Sequence, residues 1–348
     1  GIGTGGIGTS CLAAGGMRRR AAIRLAALAA AGTLCGRSVP AWAASGGGDG
    51  TRRIVSVIVP DFPSGAAGTA GWLLRAPLAR ALGRPVVLDF RPGAGGIVGL
   101  MAGAHAAADG SVLTLLTPAI AAAPWLTGWM DSAPGDFALI GRISFMPEVV
   151  LVDAGSPWHR LDDLLAALRA APRRVPIRFD GTWSNAEIAQ AMMLDRAGLV
   201  ARPVAGLRAG SALRDGDIAF AVQPLARALE GVRAGDVRAL AVSAAKRVAA
   251  LPGVPTLRER GIDVAVGAWL ALGAPAATSA AHLVSARAAL RAVLHDSTIR
   301  EALAAARLPP AWQDPLQTRR DIMAEYRALG PVFTAAGVNV RQQAVAAR

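Results

Sequence analysis

The run Ile54-Val55-Ser56-Val57-Ile58-Val59, ended by Pro60, and the segment after it constrain the fold of this chain more than any other feature. Six consecutive residues, five of them β-branched and apolar, with no polar alternation, read as a strand buried on both faces. A small-residue loop over 63–68 follows, then helical spacing of Trp72, Leu73, Leu74, Leu78 and Leu82, stopped at Gly83. The unit then repeats. Val86-Val87-Leu88 reads as a strand, 91–96 as a second glycine-rich loop, 98–108 as a helix, Asp109-Gly110 as a turn and 112–116 as a third strand. Strand, loop and helix in that alternation predict an α/β fold with a mainly parallel sheet.

The pattern continues with a strand over 149–152, a helix over 161–170, a strand over 177–179 and a helix over 186–196. Strands over 218–222 and 238–242 come next, then helices near 280–295, 298–306 and 315–335. A chain of 348 residues is long enough for two domains, each with its own core. No internal sequence repeat and no Ser- or Pro-rich linker marks a boundary, so the division has to come from topology.

Residues 1–43 read as a leader. After Met17 come a basic stretch (Arg18-Arg19-Arg20), an apolar segment over 25–35 and Ala41-Trp42-Ala43, with small residues where a signal peptidase inspects the chain. This predicts export with cleavage near Ala43, and residues 1–16 read as an over-extended start. The apolar segment is shorter than the roughly 20 residues that span a bilayer. Both cysteines, Cys11 and Cys35, lie in the leader, so the mature chain is expected to carry neither thiol nor disulfide.

The net charge of +13 includes Arg18, Arg19, Arg20, Arg24 and Arg37 of the leader, where no acid occurs. The remaining arginines are scattered, and only 5% of residues are aromatic, so neither the basic stripe nor the stacking platform of a nucleic-acid binder is present. His105, His159, His282 and His295 are far apart in sequence, and no Gly-x-Ser-x-Gly elbow occurs, so no metal site or activated serine is expected. Asp162-Asp163 open a helix, where acids complement the dipole.

Two loops share one device, flexible backbone at a strand end leading into a helix N-terminus: 63–69 and 92–96. Unpaired N–H groups at a helix start favour an anion, and glycine lets it come close. The loops are therefore either a carboxylate clamp or tight turns required by the strand-to-helix geometry. Gly93-Ala94-Gly95-Gly96-Ile97-Val98-Gly99 also approaches a dinucleotide fingerprint, with the spacing off by one; this is the basis for an NAD(P)-dependent oxidoreductase as an alternative. Trp183, Ser184, Asn185 and Glu187 form a polar cluster after the 177–179 strand. Ser184 reads as an N-cap, with Glu187 at capping-box spacing, and as a cleft residue.

Arg91-Pro92-Gly93-Ala94-Gly95-Gly96, Asp109-Gly110, Asp136-Phe137, Ala239-Leu240-Ala241-Val242, Lys246-Arg247 and Leu251-Pro252-Gly253-Val254-Pro255-Thr256 occur in one order. Together they resemble the Bug family, extracytoplasmic receptors of tripartite tricarboxylate transporters, over residues 52–341. The resemblance implies a type II periplasmic-binding fold: two α/β domains joined by two crossing strands, 44–149 with 242–348 as one and 150–241 as the other. It implies no catalysis and no cofactor. A small organic carboxylate would be held by Ser64, Gly65 and Ala66 of the first loop, Gly93, Ala94, Gly95 and Gly96 of the second, and Ser184 and Asn185 of the second domain. The partners implied are the membrane permease subunits of a tripartite transporter, the location is the periplasm and the chain is expected to act as a monomer; a receptor feeding a sensor kinase is the alternative.

The chain departs from the family pattern at the site. Ala67 and Gly68 stand where a hydroxyl residue and an acid are common, Glu187 where His is frequent, and Ala219 where an Asp is usual. With both acids gone, the expected ligand is a carboxylate without an ammonium group, of dicarboxylate or aromatic-carboxylate size. Trp183 either packs over its apolar part or belongs to the core.

Overall fold

Strand β1 (Val55–Val59) is the centre of a parallel trio, flanked by β2 (Val86–Phe90) and β3 (Val112–Leu116). The computed structural model describes residues 54–126, 134–179, 184–206 and 209–335; the leader and Trp183 lie outside them. Helix α1 (Ala66–Leu82) connects β1 to β2 and ends at Gly83, whose φ of 63° is the left-handed geometry that glycine adopts without strain. Helix α2 (Ile97–Ala104) and helix α3 (Ala119–Leu126) follow β2 and β3. The helix expected over 98–108 stops at Ala104, where His105 leaves helical geometry, and Asp109 accepts the Ser111 N–H in the turn that follows.

The short strand expected at 149–152 is the end of a much longer one, β4 (Phe137–Asp153). Its first part pairs antiparallel with β9 (Gly267–Pro275) from Phe137↔Pro275 to Pro147↔Gly267, and β9 in turn pairs antiparallel with β3. Its last part pairs antiparallel with β7 (Ala221–Pro224) and β8 (Val237–Val242). The expectation of a mainly parallel sheet is thus corrected. The parallel pairs are β1/β2, β1/β3 and β5 (Pro176–Arg178) with β6 (Arg202–Val204), and the strands that join the halves run against them. The expected 218–222 strand begins at Ala221, just past Phe220, which bridges to Ile177 and ties β7 to β5.

Both halves then show one strand order. The first is β2-β1-β3-β9-β4, extended by β10 (Pro310–Gln313); the second is β6-β5-β7-β4-β8. In each, a strand that connects the halves occupies the fourth place. This is the two-domain α/β arrangement with crossing strands, and it repeats in topology what does not repeat in sequence.

Alternation along the strands fixes the layers. Val149 and Leu151 face Leu213 and the helix α7 (Leu225–Ala234), while Val150 and Val152 face helix α4 (Leu161–Ala170) and helix α5 (Asn185–Arg196). In the first half, Val55, Val57 and Val59 pack with Leu74 and Leu78 of α1 and with Leu290 and Val293 of α8 (Ala280–His295). Leu100, Ile120 and Leu329 pack on the opposite side, Leu329 from α10 (Pro315–Ala335). Each such side chain, fully withdrawn from water, contributes roughly 1.5–3 kcal/mol.

The crossing strands approach closely at Gly267, where a Cβ would land on the Met146 carbonyl oxygen and lie 2.9 Å from the Pro147 Cα. Gly267→Ala should therefore destabilise the protein by roughly 1–3 kcal/mol in urea unfolding. Gly253→Ala, with nothing within 4 Å of the added carbon, should change stability by less than about 0.5 kcal/mol. Equal effects at the two positions would show that the crossing is not tightly packed.

Candidate functional site

The carboxyl ends of β1 and β2 bring the two loops together. Gly96 and Gly99, at the start of α2, lie against Pro60, the residue that ends β1. A Cβ on Gly96 would stand 3.0 Å from the Pro60 carbonyl oxygen, and one on Gly99 would stand 2.6 Å from the Pro60 Cα. Only bare backbone fits in this seam. Thr117, just past β3, adds a hydroxyl 3.8 Å from the same point on Gly96.

The second loop has an unusual backbone. Gly93, Ala94, Gly95 and Gly96 all have positive φ, of 134°, 47°, 66° and 100°. Gly96 N–H donates to the Gly93 carbonyl at 2.9 Å and closes the turn, and the Ala94 and Gly95 N–H groups have no acceptor among the described residues. Gly93, Ala94 and Gly95 are exposed. Successive amides presented in this way form a concave anion-binding backbone.

The first loop differs from expectation. Asp61, which the motif reading passed over, turns its carboxylate onto the start of α1. Its Oδ1 accepts from Phe62 N–H at 2.8 Å and its Oδ2 from Ala67 N–H at 3.1 Å. A Cβ on Gly65 would fall on this carboxylate. At Gly68, where the family pattern has an acid, a Cβ would fall on the Phe62 carbonyl oxygen and lie 2.6 Å from that of Pro63. The loop thus carries an acid at 61, next to Gly65, although it has none at 68. The signal was present in the sequence as an acid five residues before a helix whose first turn has none.

Ser184 and Asn185 sit beyond the carboxyl end of β5, in the second half. Ser184 caps α5 as expected, its Oγ accepting from Glu187 N–H at 3.4 Å. Glu187 is buried, and beside it Gln190 donates to the Arg178 carbonyl at 3.0 Å. No hydrogen bond among the described residues joins Ser184 or Asn185 to either loop of the first half. Asp163 has the structural role read from sequence: it accepts the Arg160 and His159 N–H groups, which lower its pKa.

The described residues also enclose a cavity of about 1260 Å³ beside the crossing strands, lined by Arg142, Phe145, Trp269, Trp312 and Glu325 among others. None of the nine site residues expected from sequence lines it. Two buried acids lie in this part of the molecule. Glu148, 1% exposed at the point where β4 passes between sheets, has no hydrogen-bond partner for either carboxylate oxygen among the described residues, and burial pushes its pKa up to about 8. Glu325 accepts from the Trp269 indole at 3.0 Å, and burial pushes it up to about 7. Among the described residues no group of three or more His, Cys, Asp or Glu could hold a metal ion, and no helix is long and apolar enough to cross a membrane.

The family model described as Tripartite tricarboxylate transporter family receptor matches residues 73–338. The chain belongs to this receptor family. The receptor is 29% identical over 299 residues to the protein BugT of Bordetella pertussis, covering 83% of this chain and 91% of that one. In fold it is similar to a TctC solute-binding protein from Polaromonas (TM-score 0.77, 22% identity, covering 82% of this chain and all of that one). A second likeness is to MatC from Rhodopseudomonas palustris, solved with bound malate (TM-score 0.58, 24% identity, 82% and 99% covered). A third, also from R. palustris, was solved with adipate (TM-score 0.60, 24% identity, 84% and 99% covered). The family is one of solute-binding receptors and not of enzymes, which leaves the dinucleotide-like glycines of the second loop to another use.

Folding takes up protons at Glu148 and Glu325, since both ionise near 4.5 when unfolded and well above it when buried. The receptor should lose stability as pH rises from about 5, through both groups up to about 7 and through Glu148 alone up to about 8, by up to roughly 1.4 kcal/mol per pH unit for each group. Glu148→Gln should flatten this slope in urea unfolding at several pH values. A wild-type profile that is level, or that rises across this range, would contradict the assignment.

Proposed function

We propose that this chain is an exported receptor that captures a small organic carboxylate between two lobes, 44–149 with 242–348 and 150–241, and hands it as a monomer to the permease of a tripartite transporter. The observation that carries the carboxylate reading is the second loop, whose exposed Ala94 and Gly95 N–H groups lead directly into the N-terminus of α2. An anion seated there meets aligned donors and the positive end of a helix. Ser184 and Asn185 are assigned to the opposite wall, because they take the equivalent place at the end of β5. Relatives solved with malate and with adipate support a ligand of this size.

Malate, adipate, benzoate and 4-aminobutyrate should be screened by thermal shift. An acid present at about a hundred times its dissociation constant should stabilise the receptor by roughly 2.7 kcal/mol. Gly96→Ala, which forces a side chain onto a φ of 100° beside Pro60, should abolish the shift. A shift that survives this change would place the anion elsewhere.

Export predicts a mature N-terminus near residue 44. N-terminal sequencing of the periplasmic fraction should find it, and a chain that retains Met17 in that fraction would overturn the leader reading.

A further inference from the structure

The expectation of a ligand without an ammonium group rests on there being no acid at the site, and the structure supplies one. Asp61 stands at the first loop with its carboxylate on Gly65 and the Ala67 N–H, in the place the sequence reading reserved for a ligand carboxylate. It has no ion-pair partner among the described residues. Arg91, which leads into the second loop, is engaged with Asp89 at 2.8 Å. The two loops are therefore not equivalent: one carries a negative charge and the other a set of unpaired amides. Pro60, the residue before Asp61, lies against Gly96 and Gly99, so the two loops adjoin. Phe62, next to Asp61, is 63% exposed, and an aromatic side chain is a surface of the kind that ammonium groups favour.

We propose that Asp61 is the specificity-determining residue of the receptor and selects a dipolar ligand, whose carboxylate sits on the second loop and whose ammonium group meets Asp61. This rests on the carboxylate-receptor reading above and specifies the ligand within it. An acid with a second carboxylate directed at the first loop would meet Asp61 as a like charge, while an ammonium group there completes an ion pair. A purely structural Asp61 would cap α1 and leave ligand preference unchanged.

The test uses matched acids that differ in one group: butyrate with 4-aminobutyrate, and propionate with β-alanine, titrated calorimetrically into the mature wild type and into Asp61→Asn. Asparagine keeps an oxygen acceptor for the helix start, so the variant should fold. In the wild type the amino member of at least one pair should bind about tenfold or more tighter than its partner, and in Asp61→Asn this preference should fall to within about twofold. Equal binding of both members by the wild type, or a preference that survives in Asp61→Asn, overturns the role of Asp61 while leaving a carboxylate receptor intact. If neither protein binds any of these acids, nor malate or adipate, the receptor reading fails and this inference with it.

Discussion

One strand belongs to two sheets. The backbone of β4 is hydrogen-bonded to β9 and β10 along its first part and to β7 and β8 along its last, so the halves share a continuous ladder. Ser243 secures the changeover: its hydroxyl accepts the Glu148 N–H at 2.8 Å and bonds to the carbonyls of Glu148 and Val266. Because a buried backbone group left unpaired is costly, the segment leading out of β8 is held where β9 will begin. The positions of both sets of loops follow from that junction.

The first 60 residues of the described chain were legible because their signals are local. β-branched runs, glycine stops and helical spacing place β1, α1, β2 and β3 within a few residues, and the helices over 280–295 and 315–335 are read with the observed bounds. The crossing strands were not legible in the same way. β9 is rich in Gly and Ala, which have little β-propensity, and it is a strand because its neighbours on both sides are strands. Likewise the first dozen residues of β4 contain Gly141, Arg142 and Pro147, which interrupt any simple pattern, and bulges absorb the irregularity.

The geometry of the two loops was legible in the sequence, and the placement of charge on them was not. The second loop, with four residues at positive φ, has the geometry its glycines require. The family pattern places acids at 68 and 219 and gives no sign of Asp61, whose contact with the start of α1 depends on a turn that folds it back across six residues. Ala219 lies inside the second half's ladder, its N–H donating to the Pro176 carbonyl at 2.8 Å.

The turn that seats Asp61 also ties its fate to a distant position in the loop. Gly65 N–H donates to the Phe62 carbonyl at 2.9 Å, and that same carbonyl lies where any side chain at 68 would begin. Any side chain at 68 would press on this carbonyl and strain the turn whose other end places Asp61 against Ala67. The two positions are thus coupled through backbone rather than through charge, and a change at 68 is felt at 61 without any contact between the two side chains.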